Sequence, residues 1–124
     1  MSYLALATDR FDEMLRFYGE ALKFTKLEYW DRPNGRGQRF DLAGLKLEIL
    51  DNARERQPLC LGASGDRVHV VIEVEDISQA RQQLPIETPL PAHTSWGASW
   101  FQVRDPDGTP VTFLEWDKSE GRAQ

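Results

Sequence analysis

His69-Val70-Val71-Ile72-Glu73-Val74-Glu75-Asp76 is the stretch that decides the fold. Val70, Ile72 and Val74 alternate with His69, Val71 and Glu73, which is the period of a half-buried strand. Asp76 then offers an N-cap carboxylate, and Ile77, Ala80, Arg81 and Leu84 mark a short helix that Pro85 stops. A strand running through a cap into a helix is therefore expected here. The faces follow: Val70, Ile72 and Val74 turn toward the helix, while His69, Val71 and Glu73 turn the other way.

The same order occurs earlier in the chain. Tyr3 to Thr8 is a short apolar run, Asp9 stands where a cap belongs, and Phe11, Met14, Leu15, Tyr18 and Leu22 trace one helical face over Arg10 to Leu22. Each strand–helix unit is followed by further strand candidates. In the first half these are Phe24 to Trp30, Gln38 to Leu42 and Leu45 to Leu50, with a turn-rich Asp31 to Gly37 and a tight hairpin at Ala43-Gly44. In the second half a Pro-punctuated stretch (Pro85, Pro89, Pro91) leads to Ser99–Val103, and Asp105-Pro106-Asp107-Gly108 turns the chain into Val111 to Trp116. The spacing predicts an internal repeat: an α+β fold of two βαβββ modules forming a curved mixed sheet around a cleft. We expect a single domain over residues 1–124, with module one at 1–51, a linker at 52–66, module two at 67–116 and a polar, frayed tail at 117–124.

The totals exclude several classes. With 124 residues, 40% of them hydrophobic, the chain can bury a core of its own. Scattered basic residues and a net charge of −5 argue against a nucleic-acid partner. Cys60 is the only cysteine, so no internal disulfide forms, and a reducing, cytoplasmic setting is expected. No run reaches 18 apolar residues, so no membrane partner is expected, and Met1-Ser2-Tyr3-Leu4 lacks the pattern of a secretory signal.

The alternation also nominates a site. Glu48 shares its face with Lys46 and Leu50, opposite Leu45, Leu47 and Ile49, so Glu48 and His69 both belong on the cleft face. They read as ligands, as an acid–base couple, or as a charge-assisted hydrogen bond across the sheet. Glu73 is a third polar residue there. Trp30, Phe40, Trp96, Trp100, Phe101 and Trp116 offer rigid faces for planar ligands, or pack in a core and a dimer interface. Of these we expect Trp96, Trp100 and Phe101 to join Glu48, His69 and Glu73 in binding a ligand. Cys60 and His93 read as an inert thiol and a surface histidine.

Phe17-Tyr18 with Leu22, His69 to Asp76, and Asp105 to Gly108 together resemble the vicinal oxygen chelate superfamily, which groups glyoxalase I, bleomycin-resistance proteins, fosfomycin-resistance enzymes and extradiol dioxygenases. The resemblance runs from about Tyr3 to Trp116. It implies a homodimer and, in metal-dependent members, four ligands on the cleft face, whose positions here hold Ser2, Glu48, His69 and Thr112. Glu115, the nearest substitute for Thr112, is three residues further on and points to the other face. Two strong ligands and two neutral hydroxyls suit a transition metal poorly. A swapped dimer would recombine the same four residue types. The expectation is thus a metal-independent protein, with no cofactor, binding a small aromatic or amphipathic molecule. Two alternatives stay open: a lyase, isomerase or dioxygenase holding Zn, Ni, Mn or Fe through His69 and Glu48, and a non-catalytic interaction subunit.

Overall fold

The structure, a computed structural model, describes residues 2–62 and 65–118. Most of the tail expected to fray (119–124) and two residues of the linker (63–64) lie outside the described residues.

The first half comprises β1 (Leu4–Thr8), α1 (Phe11–Arg16), β2 (Thr25–Arg32), β3 (Gly35–Leu42) and β4 (Leu45–Asp51). The second comprises β5 (Val70–Glu73), α2 (Ile77–Gln82), β6 (Ala92–His93), β7 (Ala98–Arg104) and β8 (Pro110–Trp116). Each half forms a four-stranded mixed sheet in the order first–fourth–third–second, and in each the first strand runs parallel to the fourth. The two halves thus share one topology, as the repeat in the sequence requires.

α1 buries Phe11 and Met14, and its path continues through a π-helical segment, Phe17–Ala21, which buries Tyr18, to the buried Leu22. These side chains meet Phe40, Leu47 and Ile49 of the first sheet and Val70, Ile72, Phe101, Val111 and Phe113 of the second in one apolar cluster. Phe113 carries the junction. Its ring stacks on Phe101 at 4.9 Å and on Phe24 of the first half at 6.4 Å.

Asp76 caps α2 as expected, its Oδ1 accepting the Gln79 N–H at 3.0 Å. Asp9 does not cap α1. The Thr8 hydroxyl accepts the Arg10 N–H at 2.8 Å, while the Asp9 carboxylate accepts from the Asn52 side chain at 3.1 Å. A longer-range partner has taken the carboxylate that the local pattern assigned to the helix.

Two strand boundaries also differ from expectation. Asp31 to Gly37 is not a long turn: β2 and β3 run to Arg32 and from Gly35, leaving only Pro33-Asn34 between them. Gly35 and Gly37 are strand residues, and at Gly37 a Cβ would come within 2.4 Å of the Trp30 ring. The glycine serves close approach rather than a turn. The Pro-punctuated stretch, read as a connection, holds the two-residue β6, which pairs with β7 through Ala92–Trp100 and His93–Ser99. The Ala43-Gly44 hairpin is as expected, with φ of 53° and 105°, and the Asp41 carboxylate accepts the Gly44 N–H at 2.8 Å. That hydrogen bond, with Lys46 nearby, holds the Asp41 carboxyl below its ordinary range.

Candidate functional site

The two-residue hairpin fixes the register of β3 against β4 outward from Leu42–Leu45, and three steps back it sets Arg39 directly opposite Glu48. Both lie on the sheet face turned away from α1. There Arg39 Nε donates to Glu48 Oε2 at 2.9 Å, and Nη1 donates to Glu28 Oε2 at 3.3 Å. The Glu48 side chain is only 8% exposed and that of Arg39 22%, so the pair is largely withdrawn from water. The hydrogen bond to Glu48 raises the guanidinium pKa above its ordinary value. The Tyr3 ring centroid lies 4.3 Å from the Arg39 guanidinium carbon and that of Trp30 5.5 Å, which places the cation against two π-faces.

A β-bulge brings Glu28 to this face. Leu27 and Glu28 together oppose the single residue Arg39, because the register shifts between Lys26 and Tyr29. The buried Gln38 side chain holds the irregularity, its Nε2 lying within 3.3 Å of the carbonyls of Leu27, Glu28 and Arg39. Trp30 lies flat where Gly37 has no side chain. Glu28, Trp30, Arg32 and Arg39 line a shallow pocket of about 330 Å³.

The second sheet presents a different surface. Glu73 is exposed on β5, and Glu73, Val74, Glu75, Glu115, Trp116, Asp117 and Lys118 line a pocket of about 590 Å³. Trp96 reaches Trp116 beside it at 5.4 Å between ring centroids, while remaining 59% exposed. Glu115 turns to the helix side, where its carboxylate accepts the Ile77 N–H at 2.7 Å. His93 meets the Asp117 carboxylate at 3.0 Å.

The structure therefore brings together only part of the expected set. Glu48 and His69 do not touch among the described residues. His69 is exposed, and its Nε2 lies 2.9 Å from the Asp66 carbonyl. Trp100 is half-buried on the open face of β7, whose register sets it against Leu114. Phe101 belongs to the core, 1% exposed and stacked on Phe113, which corrects its placement among ligand-binding residues. Trp100 and Phe101 are strand neighbours and cannot share a face. Phe40 is likewise core. Sequence reasoning missed Arg39 and Tyr3 altogether, although the hairpin register alone could have found the first.

The four positions of the metal-dependent pattern hold an exposed Ser2, a Glu48 already bonded to Arg39, a His69 bonded to its own loop and a buried Thr112. The Thr112 hydroxyl accepts from Gln102 Nε2 at 2.9 Å. No group of three His, Cys, Asp or Glu side chains able to hold a metal ion occurs among the described residues. These side chains do not fit a divalent ion at that place. The donors are too few, and the one buried carboxylate faces a fixed cation.

Two βαβββ halves of identical strand order, built on one apolar cluster and each turning an open sheet face outward, define the class of fold. The sequence model of the Glyoxalase/Bleomycin resistance protein/Dioxygenase superfamily matches residues 1–113, and the chain belongs to that superfamily. Among solved structures it is similar to a glyoxalase/bleomycin resistance protein/dioxygenase from Nocardioides (22% identity, 99% of this chain and 87% of that one, TM-score 0.72). It is also similar to a lactoylglutathione lyase from Agrobacterium tumefaciens (19% identity, 93% and 92%, TM-score 0.64). A fosfomycin resistance protein from Listeria monocytogenes shares the fold as well (14% identity, 99% and 97%, TM-score 0.65). No curated protein matches the chain. Among the described residues, no helix is long and apolar enough to cross a membrane.

Proposed function

We propose that the chain is a metal-independent, small-molecule-binding member of its superfamily, acting as a homodimer and taking a planar aromatic or amphipathic ligand on its open sheet faces. One observation carries this proposal. Glu48, at a position where metal-dependent members place a ligand, is instead occupied by the Arg39 guanidinium at 2.9 Å, with Tyr3 and Trp30 against that cation. A buried carboxylate that already neutralises an arginine has little to offer a divalent ion, whereas aromatic faces and exposed polar edges suit a ligand. The solved neighbours named for lactoylglutathione lyase and for fosfomycin resistance support a small molecule as the partner. Superfamily membership supports the dimer.

The test has two arms. The chain is incubated with zinc, nickel, manganese or ferrous ion, dialysed and assayed for metal by elemental analysis, and a set of planar aromatic compounds is screened by tryptophan fluorescence. We expect metal well below one equivalent per chain and quenching by at least one compound class. One retained equivalent, lost in His69→Ala, would overturn the metal-independent reading. Absence of quenching by every compound would overturn the ligand.

A further inference from the structure

The pocket on the first sheet is chemically asymmetric, and the asymmetry points to the charge of its ligand. Trp30 supplies a flat wall whose position depends on Gly37, since a Cβ there would lie 2.4 Å from the ring. Two arginines line the pocket with it, Arg32 two residues along β2 and Arg39 on β3, whose guanidinium carbon lies 5.5 Å from the Trp30 ring centroid. Arg39 commits Nε to Glu48 and Nη1 to Glu28, leaving Nη2 without a hydrogen-bond partner among the described residues. Arg32 has no side-chain partner among them at all.

Two carboxylates formally match the two guanidiniums, but they hold them unequally. Glu48, its side chain 8% exposed, holds Arg39 Nε at 2.9 Å and is not among the residues lining the pocket. Glu28 is the one acid lining the pocket, with 57% of its side chain exposed and a 3.3 Å contact to Arg39. Exposed pairs of that kind are weak and readily exchanged. A ligand carboxylate could displace Glu28 while Glu48 kept Arg39 in place, and a guanidinium's planar fork suits a carboxylate especially well.

We infer that the Trp30–Arg32–Arg39 pocket binds a planar organic anion, an aromatic or conjugated carboxylate whose ring stacks on Trp30 and whose carboxylate is taken by Arg32 and the free edge of Arg39. This inference rests on the proposed binding function and adds the ligand's chemical class and the residues that select it.

The test uses three ring-matched probes: 1-naphthoate, 1-naphthalenemethanol and 1-naphthylmethylammonium. Each is titrated by calorimetry into the full chain and into Arg32→Gln, Trp30→Leu and Arg56→Gln. Arg56 is an exposed arginine outside the pocket, so its variant controls for net charge. Arg32 is exposed, so its replacement does not threaten folding. We expect naphthoate to bind about tenfold or more tightly than either other probe, with affinity falling as salt rises. Arg32→Gln should lose about tenfold, Trp30→Leu a similar factor, and Arg56→Gln less than about twofold. Equal losses in Arg32→Gln and Arg56→Gln would overturn the inference. Binding of the ammonium or alcohol probe in preference to naphthoate would overturn it too, yet leave the binding function standing. Binding of none of the three overturns the inference, and the broader fluorescence screen decides separately on the function beneath it.

Discussion

The Tyr18 hydroxyl donates a 2.7 Å hydrogen bond to Asp105 Oδ2 and thereby ties the first helix to the turn before the last strand, 87 residues away. Both residues are buried, and Asp105 Oδ1 simultaneously accepts the N–H groups of Asp107 and Thr109 at 2.9 Å. One carboxylate thus shapes a turn in the second half and anchors an aromatic ring of the first. Tyr18→Phe should leave Oδ2 buried without its donor and cost about 1–3 kcal/mol of stability. Asp105→Ala should cost more, because three donors lose their acceptor. Urea denaturation of the two variants checks the order; a loss in Tyr18→Phe equal to or larger than that in Asp105→Ala would contradict it.

The same bond sets an alkaline limit on the fold. Burial first, and then the Asp105 carboxylate, push the Tyr18 phenol far above its ordinary range. A phenol in the unfolded chain ionises near pH ~10, so above that pH the unfolded state holds fewer protons than the folded one. The stability Tyr18 contributes is therefore full below about pH 10 and falls by roughly 1.4 kcal/mol per pH unit above it. We expect the stability gap between the native chain and Tyr18→Phe to hold steady from pH 7 to about 9.5 and to shrink above pH ~10. A gap that stayed constant to pH ~11.5 would show that Tyr18 ionises while folded.

How far the sequence exposed this molecule depends on how local each signal was. The strand at His69 to Asp76 and the cap of α2 were legible because alternation and an N-cap are properties of adjacent residues, and the structure has Val70 and Ile72 buried with Asp76 bonded to Gln79. Asp9 looked the same on paper, but Asn52, 43 residues on, competes for its carboxylate. Gly35 and Gly37 carry the letters of a turn and are used in a strand, and at Gly37 what requires the glycine is the Trp30 ring of the neighbouring β2. The site shows the same division. Glu48 was found on the correct face from its own strand, whereas its true partner needed the register of two strands. Attention to metal-ligand residue types favoured His69 over Arg39.

Gly37 is the position where the local pocket is most easily tested. Its missing side chain is the space in which Trp30 lies, and a Cβ would also meet the Ile49 carbonyl at 3.0 Å. Gly37→Ala should drive the Trp30 ring off the sheet face and destabilise the chain by about 1–3 kcal/mol, the cost typical of overpacking. The displaced indole should move toward water. We expect a red-shifted emission component that is absent when Gly37→Ala is combined with Trp30→Leu, and recovery of most of the lost stability in that double variant. A Gly37→Ala chain with native emission and stability would mean that Trp30 does not rest on this glycine.

The Arg39–Glu48 pair makes the sharpest distinction between a structural tie and a replaceable one. Removing the arginine leaves a carboxylate that is 8% exposed with no cation beside it. Removing one partner leaves an uncompensated charge, so Arg39→Met should be destabilising, though less than for a fully buried pair because Arg39 keeps contact with water. Replacing both members, Arg39→Met with Glu48→Met, removes the stranded charge together with its partner, and apolar pairs of similar volume substitute well for buried ion pairs. The double variant should therefore be more stable than Arg39→Met alone, with a non-zero coupling in a urea-denaturation cycle. Ligand affinity should not follow stability. If Arg39 contributes its free edge to a bound carboxylate, the double variant recovers the fold without recovering naphthoate binding. Recovery of both would assign Arg39 a purely structural role.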